Sequence, residues 1–249
     1  MEQLKSKIAV VTGASSGIGA SIVRELLSAE LIVVGLARRV ERVNELKLSL
    51  SQDQQARLHA IKCDVSNAIE VAEAFAVIAE NYGPVHVLIN NAGCLRTGQL
   101  CTMPSEQVQE VLLTNVMGVI NCTHHAYAAM ISDNGDGHVI LINSILGHKV
   151  PAIPGHLPEL NVYPATKYAL TAINEIYRQE FTALGTRIKV TSLSPGIVNT
   201  ELISEEQKSI CGDIILQPDD IAKAVMFILS TPKHAQIYEL TIKPTGDII

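Results

Sequence analysis

Short aliphatic runs and longer amphipathic stretches alternate along this sequence from Ile8 to Ile242, and few architectures accommodate that pattern. The runs Ile8–Val11, Leu31–Leu36, Leu58–Lys62, Val85–Asn90, His138–Ile142, Ile188–Leu193 and Ile237–Ile242 predict strands. The stretches Gly17–Ser28, Val40–Ser49, Asn67–Asn81, Glu106–Met130, Tyr163–Leu184 and Asp219–Leu229 predict helices between them. Strands this apolar are buried on both faces, so the expected fold is α/β: a doubly wound parallel sheet of about seven strands with helices on both faces. The hydrophobic fraction of 47% with only 4% aromatic residues and no Trp suits aliphatic parallel strands. No internal repeat or low-complexity linker divides the 249 residues, so one domain over 1–249 is expected. Two long connections, 145–162 and 195–217, each follow the C-terminal end of a strand, the edge where such sheets bind ligands. They are the expected substrate loops.

A formal net charge of -6 argues against nucleic acid or an anionic membrane surface as partner. The five cysteines (Cys63, Cys94, Cys101, Cys122, Cys211) are widely spaced without a C-x-x-C, which predicts reduced thiols and a cytoplasmic setting. Met1 to Lys7 is polar and leads straight into a strand, so no signal peptide is expected. No apolar run reaches the roughly 18 residues that a membrane span needs. His124, His125, His138, His148 and His156 lack carboxylates or cysteines at zinc spacing, so no metal is expected.

The first strand runs into Thr12-Gly13-Ala14-Ser15-Ser16-Gly17-Ile18-Gly19 and then a helical pattern. Glycines allow a sharp turn and close approach of a pyrophosphate, and a helix start offers unpaired N–H groups and a positive dipole end. Taken by itself the turn also serves as a tight strand–helix connection without ligand. The second strand ends Leu36-Ala37-Arg38-Arg39, with no acid where a ribose 2′-OH would want one. A guanidinium grips a 2′-phosphate with paired hydrogen bonds, so the expected cofactor is NADP(H), held by Arg38 first and Arg39 second. The alternative is that both arginines simply solvate a helix start. Asn91-Ala92-Gly93 after the fourth strand and Asp64-Val65 after the third are further cofactor candidates, or ordinary strand-end turns.

Tyr163 and Lys167 lie four apart at the start of a helix, hence on one face. A phenol near pKa 10 is a poor proton carrier at neutral pH, and an adjacent ammonium together with an oxidised nicotinamide favours the phenolate. Tyr-x-x-x-Lys alone also arises as an ordinary helical pair. Ser144, just past the fifth strand, places a hydroxyl where it can bond a substrate oxygen. Asn115 stands mid-helix against its propensity, which suggests a specific polar role or a bond to solvent or neighbouring backbone.

With Gly13, Gly17, Gly19, Asn91-Ala92-Gly93, Asn115, Ser144, Tyr163, Lys167 and Pro195-Gly196 in this order, the whole chain resembles the short-chain dehydrogenase/reductase family. The resemblance implies a Rossmann fold and a tetrad of Asn115, Ser144, Tyr163 and Lys167. In it Tyr163 exchanges a proton with the substrate oxygen, Ser144 polarises that oxygen, Lys167 lowers the Tyr163 pKa and holds the ribose, and Asn115 supports a water-mediated proton path. It also implies that Pro195, Gly196, Ile197, Val198 and Thr200 line the carboxamide and pyrophosphate side, and that copies pair through the helices at Glu106–Met130 and Tyr163–Leu184 as a homodimer or homotetramer. Ser144 and Tyr163 stand 19 positions apart, more than the family's usual spacing.

Apolar residues crowd the two loops: Leu146, Val150, Ile153, Leu157, Leu160, Leu202, Ile203, Ile210, Ile214 and Ile215. Either they line a pocket for a lipophilic substrate or they pack beneath the loops. The stretches Asn143–Pro151, Leu36–Glu41 and Glu239–Pro244 resemble the farnesol dehydrogenase branch common in insects, which implies a prenyl alcohol such as farnesol, oxidised to farnesal. A carbonyl or ketosteroid reductase of the same family is the alternative, and an inactive NADP(H)-binding regulator the alternative of another class.

Overall fold

The computed structural model describes residues 4–151, 159–205, 208–209 and 212–247. Seven strands form one sheet: β1 (Ile8–Thr12), β2 (Ile32–Ala37), β3 (Leu58–Lys62), β4 (Val85–Asn90), β5 (Asp136–Ile142), β6 (Arg187–Pro195) and β7 (Glu239–Ile242). Their order is β3-β2-β1-β4-β5-β6-β7 and every pairing is parallel. Among the described residues eight α-helices accompany them: α1 (Gly17–Ser28), α2 (Val40–Leu48), α3 (Gln52–Arg57), α4 (Ala68–Asn81), α5 (Ser105–Leu112), α6 (Gly118–Ser132), α7 (Tyr163–Ala183) and α8 (Pro218–Leu229).

The two-residue period of the strands divides the core into two layers. Ala9 and Val11 of β1, with Ile140 and Ile142 of β5, face α1 and α8 through Ile22, Leu26, Ile221 and Val225. Ile8 and Val10, with Val139 and Leu141, face α4, α6 and α7 through Val71, Ile78, Cys122, Met130 and Leu170. Both faces of the sheet are thus covered, as the unbroken aliphatic runs require. The strand order reverses between β1 and β4, and this parting opens the crevice in which doubly wound sheets take ligands.

Three details depart from expectation. The stretch read as one helix, Glu106–Met130, is α5 and α6 joined by a π-helical segment, Leu113–Met117. α3 was not expected; it starts at a capping box in which Ser51 accepts from the Gln54 N–H and the Gln54 side chain accepts from the Ser51 N–H. Strand ends shift by two residues: β5 begins earlier than expected and β6 ends later, since Asp136 pairs with Arg187 and Pro195 with Ile242, while β7 begins later, at Glu239 opposite Ser192, and not at Ile237.

Candidate active site

The glycine-rich turn is built by close packing. Gly13 and Gly17 hold positive φ (66° and 52°), which L side chains resist. A Cβ on Gly19 would sit 2.3 Å from the Gly13 carbonyl and 2.6 Å from Asn91 Nδ2, so only glycine fits. Ser16 is the N-cap of α1 but its side chain does not cap it, leaving the first N–H groups to face the crevice beside half-buried Ser15 and Ile18. Thr12, which sequence reasoning passed over, clasps this turn to β4. Its Oγ1 accepts from the N–H groups of Asn91 and Ala92, both at 2.9 Å, and Asn91 Nδ2 donates back to the Thr12 and Gly13 carbonyls.

At the end of β2 the two arginines have separate fates. Arg39 donates to Ser16 Oγ at 3.2 Å and pairs with Glu201 at 3.0 Å, while Arg42 pairs with the other Glu201 oxygen at 2.7 Å. Arg38 is exposed and makes no hydrogen bond or ion pair among the described residues. Its charge reaches the Cys94 thiol and opposes the upward push that burial gives that group. Arg38 is therefore the uncommitted guanidinium at the edge of the crevice. Asp64 is engaged locally, accepting from the N–H and hydroxyl of Ser66 at 3.0 and 2.7 Å, and buried Val65 packs on Gly118 at the start of α6.

Across the crevice, Pro195 ends β6 and the Gly196 N–H donates to the Ile242 carbonyl at 2.8 Å. Ile197 is half-buried and Val198 turns into the core beside Leu216. Thr200 lies over Gly17, where a Cβ would meet its Cγ2 at 3.1 Å.

Tyr163 is the first residue of α7, with Pro164 tolerated in the first turn where N–H groups lack intrahelical partners. Lys167 follows one turn later, its Nζ 5.5 Å from the centre of the Tyr163 ring and donating to the Ile142 carbonyl at 2.8 Å. Both are buried. Burial raises the Tyr163 pKa, and it lowers that of Lys167 to about 8. Ser144 Oγ accepts from the Leu146 N–H at 3.1 Å, which leaves its own hydrogen to donate.

Asn115 sits in the π segment, and its amide is a brace. Oδ1 accepts from the Cys94 N–H at 2.8 Å; Nδ2 donates to the Cys94 carbonyl at 2.9 Å and to Thr166 Oγ1 at 3.2 Å. Thr166 in turn donates to the Tyr163 carbonyl at 2.7 Å. The side chain thus links the strand-end segment after Gly93 to the helix that carries Tyr163. The partners Cys94 and Thr166 carry no sequence signal of their own and emerge only from the fold.

Of the apolar loop residues, Ile153, Leu157 and Ile210 lie outside the described residues, as does His156. Leu146, Leu160, Ile203 and Ile215 are half-buried and Val150, Leu202 and Ile214 exposed, so none of these is sealed into the core. Among the described residues no helix is long and apolar enough to cross a membrane. No group of three or more His, Cys, Asp or Glu among them is placed to hold a metal ion.

Comparison with known proteins agrees with this geometry. Residues 7–210 match the model of the short chain dehydrogenase family. Farnesol dehydrogenase of Aedes aegypti is 49% identical over 99% of both chains. Dehydrogenase/reductase SDR family member 11 of Homo sapiens is 37% identical over 100% of this chain and 98% of its own. Among solved structures, the closed form of a serine dehydrogenase complexed with NADP+ superposes with a TM-score of 0.85 at 28% identity, covering 97% of this chain and 96% of that one. An alcohol dehydrogenase from Thermococcus sibiricus complexed with 5-hydroxy-NADP gives 0.82 at 27% identity, covering 97% of each. The chain is an oxidoreductase of the short-chain dehydrogenase/reductase family.

Proposed function

We propose that this chain uses NADP(H) to interconvert a lipophilic alcohol and its carbonyl, with farnesol and farnesal as the pair. The observation that carries the chemistry is the buried Tyr163–Lys167 pair, tied through Lys167 to the Ile142 carbonyl two residues before Ser144, at the same sheet edge as the glycine cradle. The kinship with the mosquito farnesol dehydrogenase supports the substrate, and the unsealed apolar side chains of the two loops suit it.

The residues present fit a dinucleotide. The turn at Gly13, Ser15, Ser16, Gly17, Ile18 and Gly19 with the start of α1 would take the pyrophosphate, and the uncommitted Arg38 the 2′-phosphate. Asn91, Ala92, Gly93, Lys167 and the Pro195–Thr200 segment would hold the ribose and nicotinamide end. Bound there, the nicotinamide supplies the hydride acceptor or donor. In alcohol oxidation Tyr163, as phenolate, takes the hydroxyl proton. The Ser144 hydroxyl donates to the same oxygen, and the Lys167 ammonium favours the phenolate that burial opposes. Asn115 keeps the Tyr163 helix in register with the crevice and supports proton supply. We further propose pairing of two copies through α6 and α7, whose outer faces carry exposed Ile131, Tyr168 and Ile176.

The test is cofactor reduction followed by absorbance with farnesol, retinol, a hydroxysteroid and ethanol, each with NADP+ and NAD+. Farnesol with NADP+ should be fastest, and the signal should vanish in Tyr163→Phe. Replacing Ala37 by Asp and Arg38 by Leu should move preference toward NAD+. Farnesol turnover no faster than ethanol would remove the prenyl assignment, and an unchanged cofactor preference would remove Arg38.

A further inference from the structure

Three polar side chains from three strand ends meet beside the turn that carries Ser144. His148 Nε2 lies 3.0 Å from Ser194 Oγ and 3.1 Å from Glu239 Oε1, and Ser194 Oγ lies 2.5 Å from that same oxygen. His148 follows the 3-10 turn Ile145–Gly147 after β5; Ser194 is near the end of β6 and Glu239 opens β7. A carboxylate only accepts, so Ser194 donates its hydroxyl hydrogen to Glu239 and His148 Nε2 carries a hydrogen in either charge state.

These are the residue types of a nucleophilic triad without its geometry. One histidine nitrogen faces both partners, so no second nitrogen is bound to the carboxylate to set up proton relay. Ser194 is also fully buried, out of reach of any substrate. The cluster fastens instead.

The turn after Ser144 is already pinned to α7. The Gly147 carbonyl accepts from Thr171 Oγ1 at 3.0 Å, and Asn143 Nδ2 donates to Thr171 Oγ1 at 3.0 Å and Ser192 Oγ at 3.2 Å. Gly147 has no room for a Cβ, which would stand 2.8 Å from both Asn143 Oδ1 and the Lys167 carbonyl. Past that point the chain turns outward to exposed Lys149 and Val150. The His148 side chain is what ties this exit to β6 and β7.

We propose that His148 is a positioning residue for Ser144. By gripping Ser194 and Glu239 it fixes the exit of the 3-10 turn, and with it the direction in which the Ser144 hydroxyl meets the substrate oxygen. This rests on reading Ser144 and Tyr163 as the reacting pair.

The experiment compares His148→Ala, His148→Gln and Glu239→Leu with the unmodified chain in steady-state farnesol oxidation, alongside NADPH binding by fluorescence and thermal melting. A displaced hydroxyl costs rate more than binding, since misplacement by about 1 Å can cost up to roughly 100-fold. His148→Ala and Glu239→Leu should each lower kcat about tenfold or more, with farnesol KM changed less than about threefold and NADPH affinity less than about twofold. His148→Gln keeps an N–H donor and should recover at least about half of the lost rate on a logarithmic scale. Alanine at 148 with kcat within about twofold of the unmodified chain, or glutamine as slow as alanine, would overturn the proposal. An unmodified chain that turns over no farnesol overturns the proposed farnesol chemistry and not the role of His148, so the two failures are distinct.

Discussion

Replacing Asn115 by alanine separates a brace from an ordinary helical residue, because the two give opposite signs. In a plain helix Asn→Ala gains up to about 0.7 kcal/mol of propensity, and the melting temperature would rise by up to about 3 °C. Here the change removes three hydrogen bonds, of 2.8, 2.9 and 3.2 Å. Thr166 keeps its bond to the Tyr163 carbonyl, so its hydroxyl is not orphaned. The N–H and carbonyl of buried Cys94 lose the amide that satisfies them. An orphaned buried polar group costs about 1–3 kcal/mol, so two cost about 2–6 kcal/mol. At about 2–4 °C per kcal/mol for a domain of this size, melting should fall by about 4–24 °C. The assay is thermal unfolding by circular dichroism with the cofactor omitted, joined to exchange of the Cys94 amide hydrogen, which should accelerate. An unchanged or raised melting temperature would refute the brace and leave Asn115 a purely chemical residue.

Two further predictions follow, one from a buried side chain and one from an exposed one. His138 is buried against Thr191, its Nε2 2.8 Å from Thr191 Oγ1, and burial pushes its pKa down to about 3. Below pH about 6.5 the unfolded chain binds a proton that the folded chain refuses, so stability falls as pH drops from 6.5 toward 3, by up to about 1.4 kcal/mol per unit. His138→Val should flatten that slope by one proton in urea melts at pH 7, 6 and 5, and an equal slope would refute the assignment. The exposed Ile176 on α7 should sit between paired copies: light scattering should give a multiple of the 26.8 kDa chain mass, and Ile176→Glu should reduce it to one, while a monomeric unmodified chain would discard the pairing.

The strands were legible because each is buried on both faces and must be aliphatic over its whole length. Their ends were less so. Asp136 and Gly137 do not favour strands, yet they pair with Arg187 and Ile188, and the Asp136–Arg187 ion pair closes that end. α3 had a signal that was passed over, the S-x-x-Q of Ser51 and Gln54. The π segment had a fainter one: two adjacent polar residues of poor helix propensity, Thr114 and Asn115, in the middle of the stretch expected as one helix. A hydrophobic period of 3.6 says nothing of an i→i+5 register, so the break itself was invisible. Glu201 was beyond reach, since its hold on Arg39 and Arg42 spans more than 150 residues and depends on the fold bringing the loop after β6 to the start of α2. Nothing in the sequence marks His148 as a fastening, because its partners Ser194 and Glu239 lie 46 and 91 residues away.

The distribution of polar contacts explains why chemistry could be read from residues and substrate could not. Burial works against Tyr163 and Lys167 in both senses, raising the phenol and lowering the ammonium to about 8. A pKa of about 8 still leaves Lys167 mostly charged at neutral pH, so the Tyr163 phenol has a cation one helical turn away. That cation is held by the carbonyl of Ile142, two residues before Ser144. The hydroxyl and the charge are therefore placed by the same strand end, and any slip of β5 against α7 would displace both together. The fold concentrates its hydrogen bonds at this joint, through Asn143, Thr171, Ser192 and Gly147, and at the second joint made by Asn115. Groups that must meet within fractions of an ångström need few alternatives of residue type, and that restriction is what a single sequence displays. As the proposed substrate walls, Val150, Leu202 and Ile214 would answer to a weaker demand: they need only be apolar and accessible, a condition that many side chains and many substrates satisfy.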